Sequence, residues 1–285
     1  MDGRPERVGV IGGGRMGAGI AQVFLVLGSE VHVVESDPQE CEAARSRVRD
    51  GLDGAVRRGK LDEDPEQVLA RLRTATDPAQ LPGNAELVVE AVPERPELKL
   101  EVLAAAEKAV SESTVLASNT SSLSIGELAS ALRRPQRFCG MHFFNPVPAS
   151  KLVEVVVAPE TDRAVVDTAC GWVRALGRTD VVVRDSPGFA TSRLGVALGL
   201  EAIRMLEEDV ADAASIDTAV ELGYRHPMGP LRSTDLVGLD VRLAVADYLH
   251  GRLGERFAPP ALLRAKVERG ELGRKTGQGF YTWDD

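Results

Sequence analysis

The chain has 285 residues, enough for one large or two ordinary domains with an ample core. Its net charge of −9 argues against nucleic acid or an anionic membrane as partner, while a small anionic ligand needs only a local basic patch. No apolar run approaches the roughly 18 residues of a membrane-spanning helix, and Cys41, Cys139 and Cys170, odd in number and without C-x-x-C spacing, make neither a disulfide framework nor a zinc site.

The charged N-terminus enters a strand near Arg7 and shows no secretory pattern, so a reducing, cytoplasmic setting is expected. That first strand, about 7–11, runs straight into Gly12-Gly13-Gly14-Arg15-Met16-Gly17 and a helix-like run to Leu27. A second strand, about 30–34, follows and ends on Glu35. Glycine is 28 of 285 residues, so G-x-G-x-x-G spacing alone is weak. Its setting makes it specific: strand before, helix after, acid about 20 positions on. Gly12 permits a tight turn, Gly14 lets the backbone approach a pyrophosphate, and Gly17 lets helix and strand pack closely. The helix start offers N–H groups and a positive dipole end to phosphates. Glu35 can accept from both ribose hydroxyls and would repel a 2′-phosphate, which favours NAD over NADP. Asp37 is the nearby rival for that role, and His32 reads as packing.

From Pro38 to Arg73 the chain reads as charged helix with no strand, a helical pair projecting beside the cofactor site. Within it Arg57, Arg58 and Lys60 form a basic patch, which is either an anion contact or a solvated helix end. Further strands are expected at about 86–91, 113–118, 137–143, 152–158 and 179–184. Such alternation indicates a Rossmann-type, doubly wound, mostly parallel α/β sheet. Ser118-Asn119-Thr120-Ser121-Ser122 stands at a strand's carboxyl end, where a ligand would sit. Ser122 or Ser124 could equally cap a short helix running to Ala131.

His142 ends a strand, and Glu154 lies amid apolar residues in the next one, Lys151 to Val157. A hairpin about Pro148 would set the two opposite each other. The carboxylate would then orient the imidazole as a general base opposite a nicotinamide ring.

Asp185-Ser186-Pro187-Gly188 breaks the pattern, and only helices are expected beyond it, at about 192–208, 213–222, 234–251 and 259–269. The domains therefore read as 1–186, NAD-binding, and 187–285, an all-helical substrate and dimerisation domain. The run from Ser192 to Glu208 is apolar almost all round, as in a helix buried in a core or a subunit interface.

Several segments in order resemble the L-3-hydroxyacyl-CoA dehydrogenase family, in its short, stand-alone 3-hydroxybutyryl-CoA dehydrogenase form. They are Val10 to Ala21, Ala117 to Ser122, His142-Phe143-Phe144-Asn145-Pro146, Lys151-Leu152-Val153-Glu154-Val155, Pro187-Gly188-Phe189, Pro227-Met228-Gly229-Pro230 and Gly273 to Tyr281. The resemblance implies that His142 is the catalytic histidine, Glu154 its partner and Ser121 the contact to the substrate oxygen. It also implies that Glu94, Lys99, Asn119, Asn145 and Lys275 lie near the cofactor or acyl group, and that the helical hairpin meets coenzyme A around Arg57, Arg58 and Lys60. Upstream in that hairpin, Asp50 and Gly54 stand where relatives can carry lysine. Ser192 stands where the family has an active-site asparagine, and its shorter hydroxyl lacks the amide's fork. A homodimer is implied as well.

These features together lead to NAD-dependent oxidation of a short L-3-hydroxyacyl-CoA, with no metal. Two rivals stay open: the same chemistry on a free hydroxy acid or a carrier-protein-bound hydroxyacyl group, and a protein that binds NAD without turnover.

Overall fold

The computed structural model describes residues 3–284, and the chain forms two compact units, Met1–Asp185 and Ser186–Asp285.

In the first unit the strands are β1 (Arg7–Ile11), β2 (Glu30–Val34), β3 (Leu72–Ala75), β4 (Leu87–Glu90), β5 (Val115–Ser118), β6 (Phe138–Phe143), β7 (Leu152–Val157) and β8 (Thr179–Arg184). They form one sheet in the order β3-β2-β1-β4-β5-β6-β7-β8. Every neighbouring pair is parallel except β6–β7. The inner strands are near-continuous apolar runs because helices cover both faces. The chain leaves β1 toward β2 and β3, then returns to the other side at β4. That reversal opens a crevice at the carboxyl ends of β1 and β4, where such sheets take ligands.

Between the strands run α1 (Arg15–Val26), α2 (Pro38–Arg57), α3 (Pro65–Leu69), α4 (Pro96–Ala109), α5 (Ile125–Ala129) and α6 (Arg163–Ala175). α1 starts from Gly14 with no side-chain cap, so its first N–H groups keep their capacity for a ligand. Gly12 has φ of +92°, and a Cβ there would lie 2.9 Å from the Ala91 carbonyl oxygen. A Cβ on Gly17 would lie 1.7 Å from the Gly12 carbonyl oxygen, so the turn and the helix touch only because both residues are glycine. α2 buries Cys41, Ala44, Val48, Leu52 and Ala55, a three-and-four spacing that keeps one stripe on the core.

The stretch from Pro38 to Arg73 differs from its reading as strand-free helix. α2 takes 20 residues, α3 only five, and Leu72–Ala75 pairs with β2 as the outermost strand. An edge strand has one partner and buries little, and here only Leu72 is buried, so its polar sequence hides it. β6 and β7 form the expected hairpin, with Met141 opposite Val155, His142 opposite Glu154 and Phe143 opposite Val153.

β4 ends on Glu90, which is fully buried, and Lys99 in the first turns of α4 places its ammonium 2.6 Å from that carboxylate. The Ser118 hydroxyl and the Val92 N–H also donate to Glu90.

In the second unit, among the described residues, the helices are α7 (Thr191–Glu207), α8 (Ala213–Tyr224), α9 (Pro230–Val237), α10 (Leu239–Leu253) and α11 (Ala261–Glu268). Val196, Leu200, Ile203, Leu231, Leu239 and Leu249 build its core. The helix expected over 234–251 is two, because Gly238 turns at φ of +102° between α9 and α10. Asp235 is buried and accepts from the N–H groups of Phe280 and Tyr281 and from the Trp283 indole, which fastens the closing segment to α9.

The Glu90–Lys99 pair gives a stability prediction. Lys99→Met leaves a buried carboxylate without its cation and should cost about 3–5 kcal/mol in urea unfolding. Glu90→Gln added to Lys99→Met should recover most of that loss. An equal loss in the double variant would show that packing of the lysine stem, not charge pairing, was removed.

Candidate active site

The carboxyl ends of the central strands carry most of the polar side chains singled out in the sequence. Glu94 follows β4, Asn119 and Ser121 follow β5, His142 lies near the end of β6, and Asn145 opens the β6–β7 connection. Together with Lys99 these six line one cavity of about 320 Å³, with Met16 and Phe144 among its walls.

His142 is 5% exposed, and its Nδ1 lies 2.7 Å from Oε2 of Glu154, which is fully buried in mid-strand. The pairing follows from register. Residues directly opposed in an antiparallel pair point to the same face, and β6 and β7 place these two opposite each other. A buried carboxylate beside Nδ1 holds the ring proton on that nitrogen and leaves Nε2 as the acceptor. It also stabilises the imidazolium once Nε2 takes up a proton. The Phe144 ring packs against the imidazole with centroids 4.2 Å apart.

On the other side of the cavity Glu94 gathers donors. It accepts from the Thr120 hydroxyl at 2.5 Å, the Ser121 N–H at 3.1 Å and the Ser122 hydroxyl at 3.3 Å, with the Lys99 ammonium 3.2 Å away. Burial alone would raise the Glu94 carboxyl, yet Lys99 and the hydrogen bonds from Thr120 and Ser121 hold it below its ordinary value. Glu90 behaves oppositely: burial pushes its carboxyl up, although Lys99, Ser118 and the Val92 N–H oppose the shift. Glu90 was missed in the sequence. Its one signal there is an acid closing the apolar run Leu87-Val88-Val89, with a lysine nine residues later. Asn119 fastens the β5 loop to β6 by accepting the Phe143 N–H at 2.8 Å. Ser124, not Ser122, caps α5 through the Glu127 N–H.

Glu35 closes β2 beside the glycine turn and accepts the Gly13 N–H. Its rival Asp37 is committed elsewhere. The Asp37 carboxylate caps α2 through the Glu40 N–H at 2.9 Å, and that bond leads in holding its carboxyl below the ordinary range. His32 is half-buried on β2, with its pKa lowered chiefly by burial, as fits a packing residue.

The basic patch divides. Arg58 and Lys60 line a second cavity of about 590 Å³, whereas Arg57 is exposed and is not part of that lining. Ser192 and Lys275 belong to the second unit. Ser192 sits half-buried in the first turn of α7, and the Lys275 ammonium pairs with Asp240 at 2.6 Å. Among the described residues no group of three or more His, Cys, Asp or Glu is arranged to hold a metal, and no helix is long and apolar enough to cross a membrane.

Comparison with known proteins agrees with this geometry. Residues 7–186 match the NAD binding domain of 3-hydroxyacyl-CoA dehydrogenase, and residues 188–283 match the C-terminal domain of the same family. A 3-hydroxybutyryl-CoA dehydrogenase of Mycobacterium tuberculosis is 43% identical over 282 residues, covering 98% of each chain. The solved (S)-3-hydroxybutyryl-CoA dehydrogenase of Ralstonia eutropha superimposes with a TM-score of 0.94 at 37% identity, over 99% of this chain and 100% of the other. A diketoreductase is more distant, at 28% identity and a TM-score of 0.85 over 98% of this chain and 99% of its own. With both domains matched in order along its length, the chain belongs to the 3-hydroxyacyl-CoA dehydrogenase family.

Proposed function

We propose that the protein oxidises a short-chain L-3-hydroxyacyl-CoA, such as 3-hydroxybutyryl-CoA, reversibly to the 3-oxoacyl-CoA, with NAD as the redox partner. The observation that carries the proposal is His142, buried against Glu154 and lining a cavity at the carboxyl ends of the Rossmann strands. The residues around β1 fit a dinucleotide: a glycine turn too tight for a Cβ, a helix start without a side-chain cap, and Glu35 at the end of β2. NAD, when bound there, supplies the acceptor for the C3 hydride. Nε2 of His142 takes the hydroxyl proton as the carbonyl forms, and Glu154 stabilises the resulting imidazolium. Ser121 helps place the substrate oxygen, with its loop held by Glu94. Lys99, Asn119 and Asn145 shape the rest of the cavity. Ser192 and Lys275 carry, on the second unit, the family positions given above. The three cysteines are all buried thiols, which fits a reducing compartment such as the cytoplasm.

A second reading keeps the chemistry and changes the substrate to a free hydroxy acid or a carrier-protein-bound group. Ser192, in place of the family asparagine, is the feature that favours it. Following NADH loss with acetoacetyl-CoA and then with free acetoacetate separates the two, and no turnover with either would leave a protein that only binds NAD.

The cofactor and the assembly each give a prediction. NADH should have a higher kcat/KM than NADPH, because Glu35 repels a 2′-phosphate, and Glu35→Ala should narrow the gap. Equal values in the unaltered enzyme would defeat this. The second concerns assembly. On the helical unit Leu194 is 70% exposed and Tyr224 78%, with Leu198, Leu222, Val237 and Val241 also exposed. These exposed apolar side chains support a surface that a second copy of the chain would cover. Light scattering should give the mass of a homodimer, and a monomer at micromolar concentration would refute the assignment.

A further inference from the structure

Two arginines, Arg178 and Arg242, are buried, at 9% and 8% exposure. Burial lowers the pKa of both, that of Arg242 to about 10, and among the described residues no carboxylate acts against the shift. Arg178 at least has the Phe143 ring, 5.8 Å from its guanidinium carbon. Arg242 has no ring contact of that kind among the described residues, and its Nε is buried without a hydrogen-bond partner. A buried cation without a counter-charge is costly, and a carboxylate brought to it would relieve the cost.

Arg242 shares a face of α10 with the core residues Leu239, Ala246 and Leu249. Its guanidinium rests on α7, where two glycines one turn apart leave room for it. A Cβ on Gly195 would lie 3.7 Å from Nη1, and a Cβ on Gly199 would lie 3.7 Å from Nε. Gly195 is only half-buried, so the guanidinium stops under the rim of an exposed surface. That surface is the apolar one noted above, with Leu194, Leu198 and Val241. Leu194, Leu198 and Glu201 follow one another at i, i+4 and i+7, a single stripe along α7 beside the glycine row. The Glu201 side chain is 66% exposed, and its ion pair is with Arg204 at 3.2 Å, three residues on. An exposed pair of that kind contributes little, so its carboxylate can be recruited cheaply.

We propose that a second copy of this chain supplies the missing counter-charge, with Arg242 of each protomer paired to Glu201 of the partner subunit. The inference rests on the homodimer proposed above and names the contact that holds it. A two-fold interface meets itself, so a residue that touches a second one is touched by it in turn. An antiparallel crossing of two α7 helices with Leu198 on the axis sets Leu198 against Leu198 of the partner subunit. Glu201, three residues or about 4.5 Å to one side of the axis, then faces Gly195 of the partner subunit, three residues to the other side. Gly195 is where Nη1 of Arg242 lies. The same crossing covers Leu194, and the apolar contact around each pair excludes water from it, which strengthens the charge-assisted hydrogen bond.

Analytical ultracentrifugation over a dilution series reads the dimer dissociation constant. Glu201→Gln should raise it roughly a hundredfold, about tenfold for each of the two pairs. Arg242→Gln should also raise it, and adding Glu201→Gln to that variant should cost little more, because both changes remove the same pair. An unchanged constant in Glu201→Gln, or losses that multiply in the double variant, would overturn the proposal. If Arg242→Gln does not fold, Glu201→Arg decides in its place. It sets like charges against each other across the axis and should be monomeric at micromolar concentration, so a dimer as tight as the unaltered one is equally fatal. Leu198→Cys checks the crossing itself, since the three native cysteines are buried. A thiol cross-linker spanning about 10 Å, the separation of packed helices, should give a covalent dimer. A dimer in solution that does not cross-link in that variant has its interface elsewhere and overturns the pairing. An unaltered protein that stays monomeric refutes the homodimer reading itself.

Discussion

A fully buried carboxylate, Glu154, sets the terms for this structure. Such a group is costly to remove from water and persists only where a partner meets it in good geometry. Here the partner is Nδ1 of His142 at 2.7 Å. Direct opposition of the two residues requires the chain to reverse between β6 and β7, the one antiparallel step in the sheet. Were β7 to slip by one residue, Glu154 would turn to the opposite face and leave the imidazole unoriented. Valines on either side of Glu154 are buried and hold that register. One hairpin therefore fixes both the single antiparallel step of the sheet and the tautomer of its histidine.

The opposite wall of the cavity is built on the same principle with different groups. Lys99 stands between Glu90 and Glu94, 2.6 Å from the first and 3.2 Å from the second. Glu90 lies in the sheet and anchors the ammonium, while Glu94 passes the arrangement on to the Ser121 loop through its hydrogen bonds. The cavity is thus bounded by side chains whose own positions are fixed by buried charge. That is what a site needs if reacting groups are to be held within a fraction of an ångström.

Much of this was legible in the sequence because it rests on local pattern. The glycine spacing after a strand, the acid closing the second strand and the apolar runs around His142 and Glu154 each carry their geometry within about ten to twenty-five residues. Leu72–Ala75 was not legible, since an edge strand needs only one neighbour and buries one side chain. The break at Gly238 was hidden inside a helical pattern that continues on both sides of it. Glu90 and Arg178 were passed over for another reason. Their importance comes from burial, and burial is decided by elements distant in the chain: β5 and α4 for the glutamate, and β6 for the arginine. Arg57, Arg58 and Lys60 look equivalent in sequence, yet only the last two line the large cavity.

The central claim is that His142 and Glu154 act as one base, and a double-mutant cycle on turnover tests it most directly. His142→Gln, Glu154→Gln and the double variant would be compared with acetoacetyl-CoA and saturating NADH. His142→Gln alone should cost roughly 10²–10⁴-fold in kcat, the usual contribution of a positioned base. Because Glu154 acts only through the imidazole, adding Glu154→Gln to that variant should cost almost nothing more. Near-normal turnover in either single variant, or losses that multiply in the double, would contradict the account.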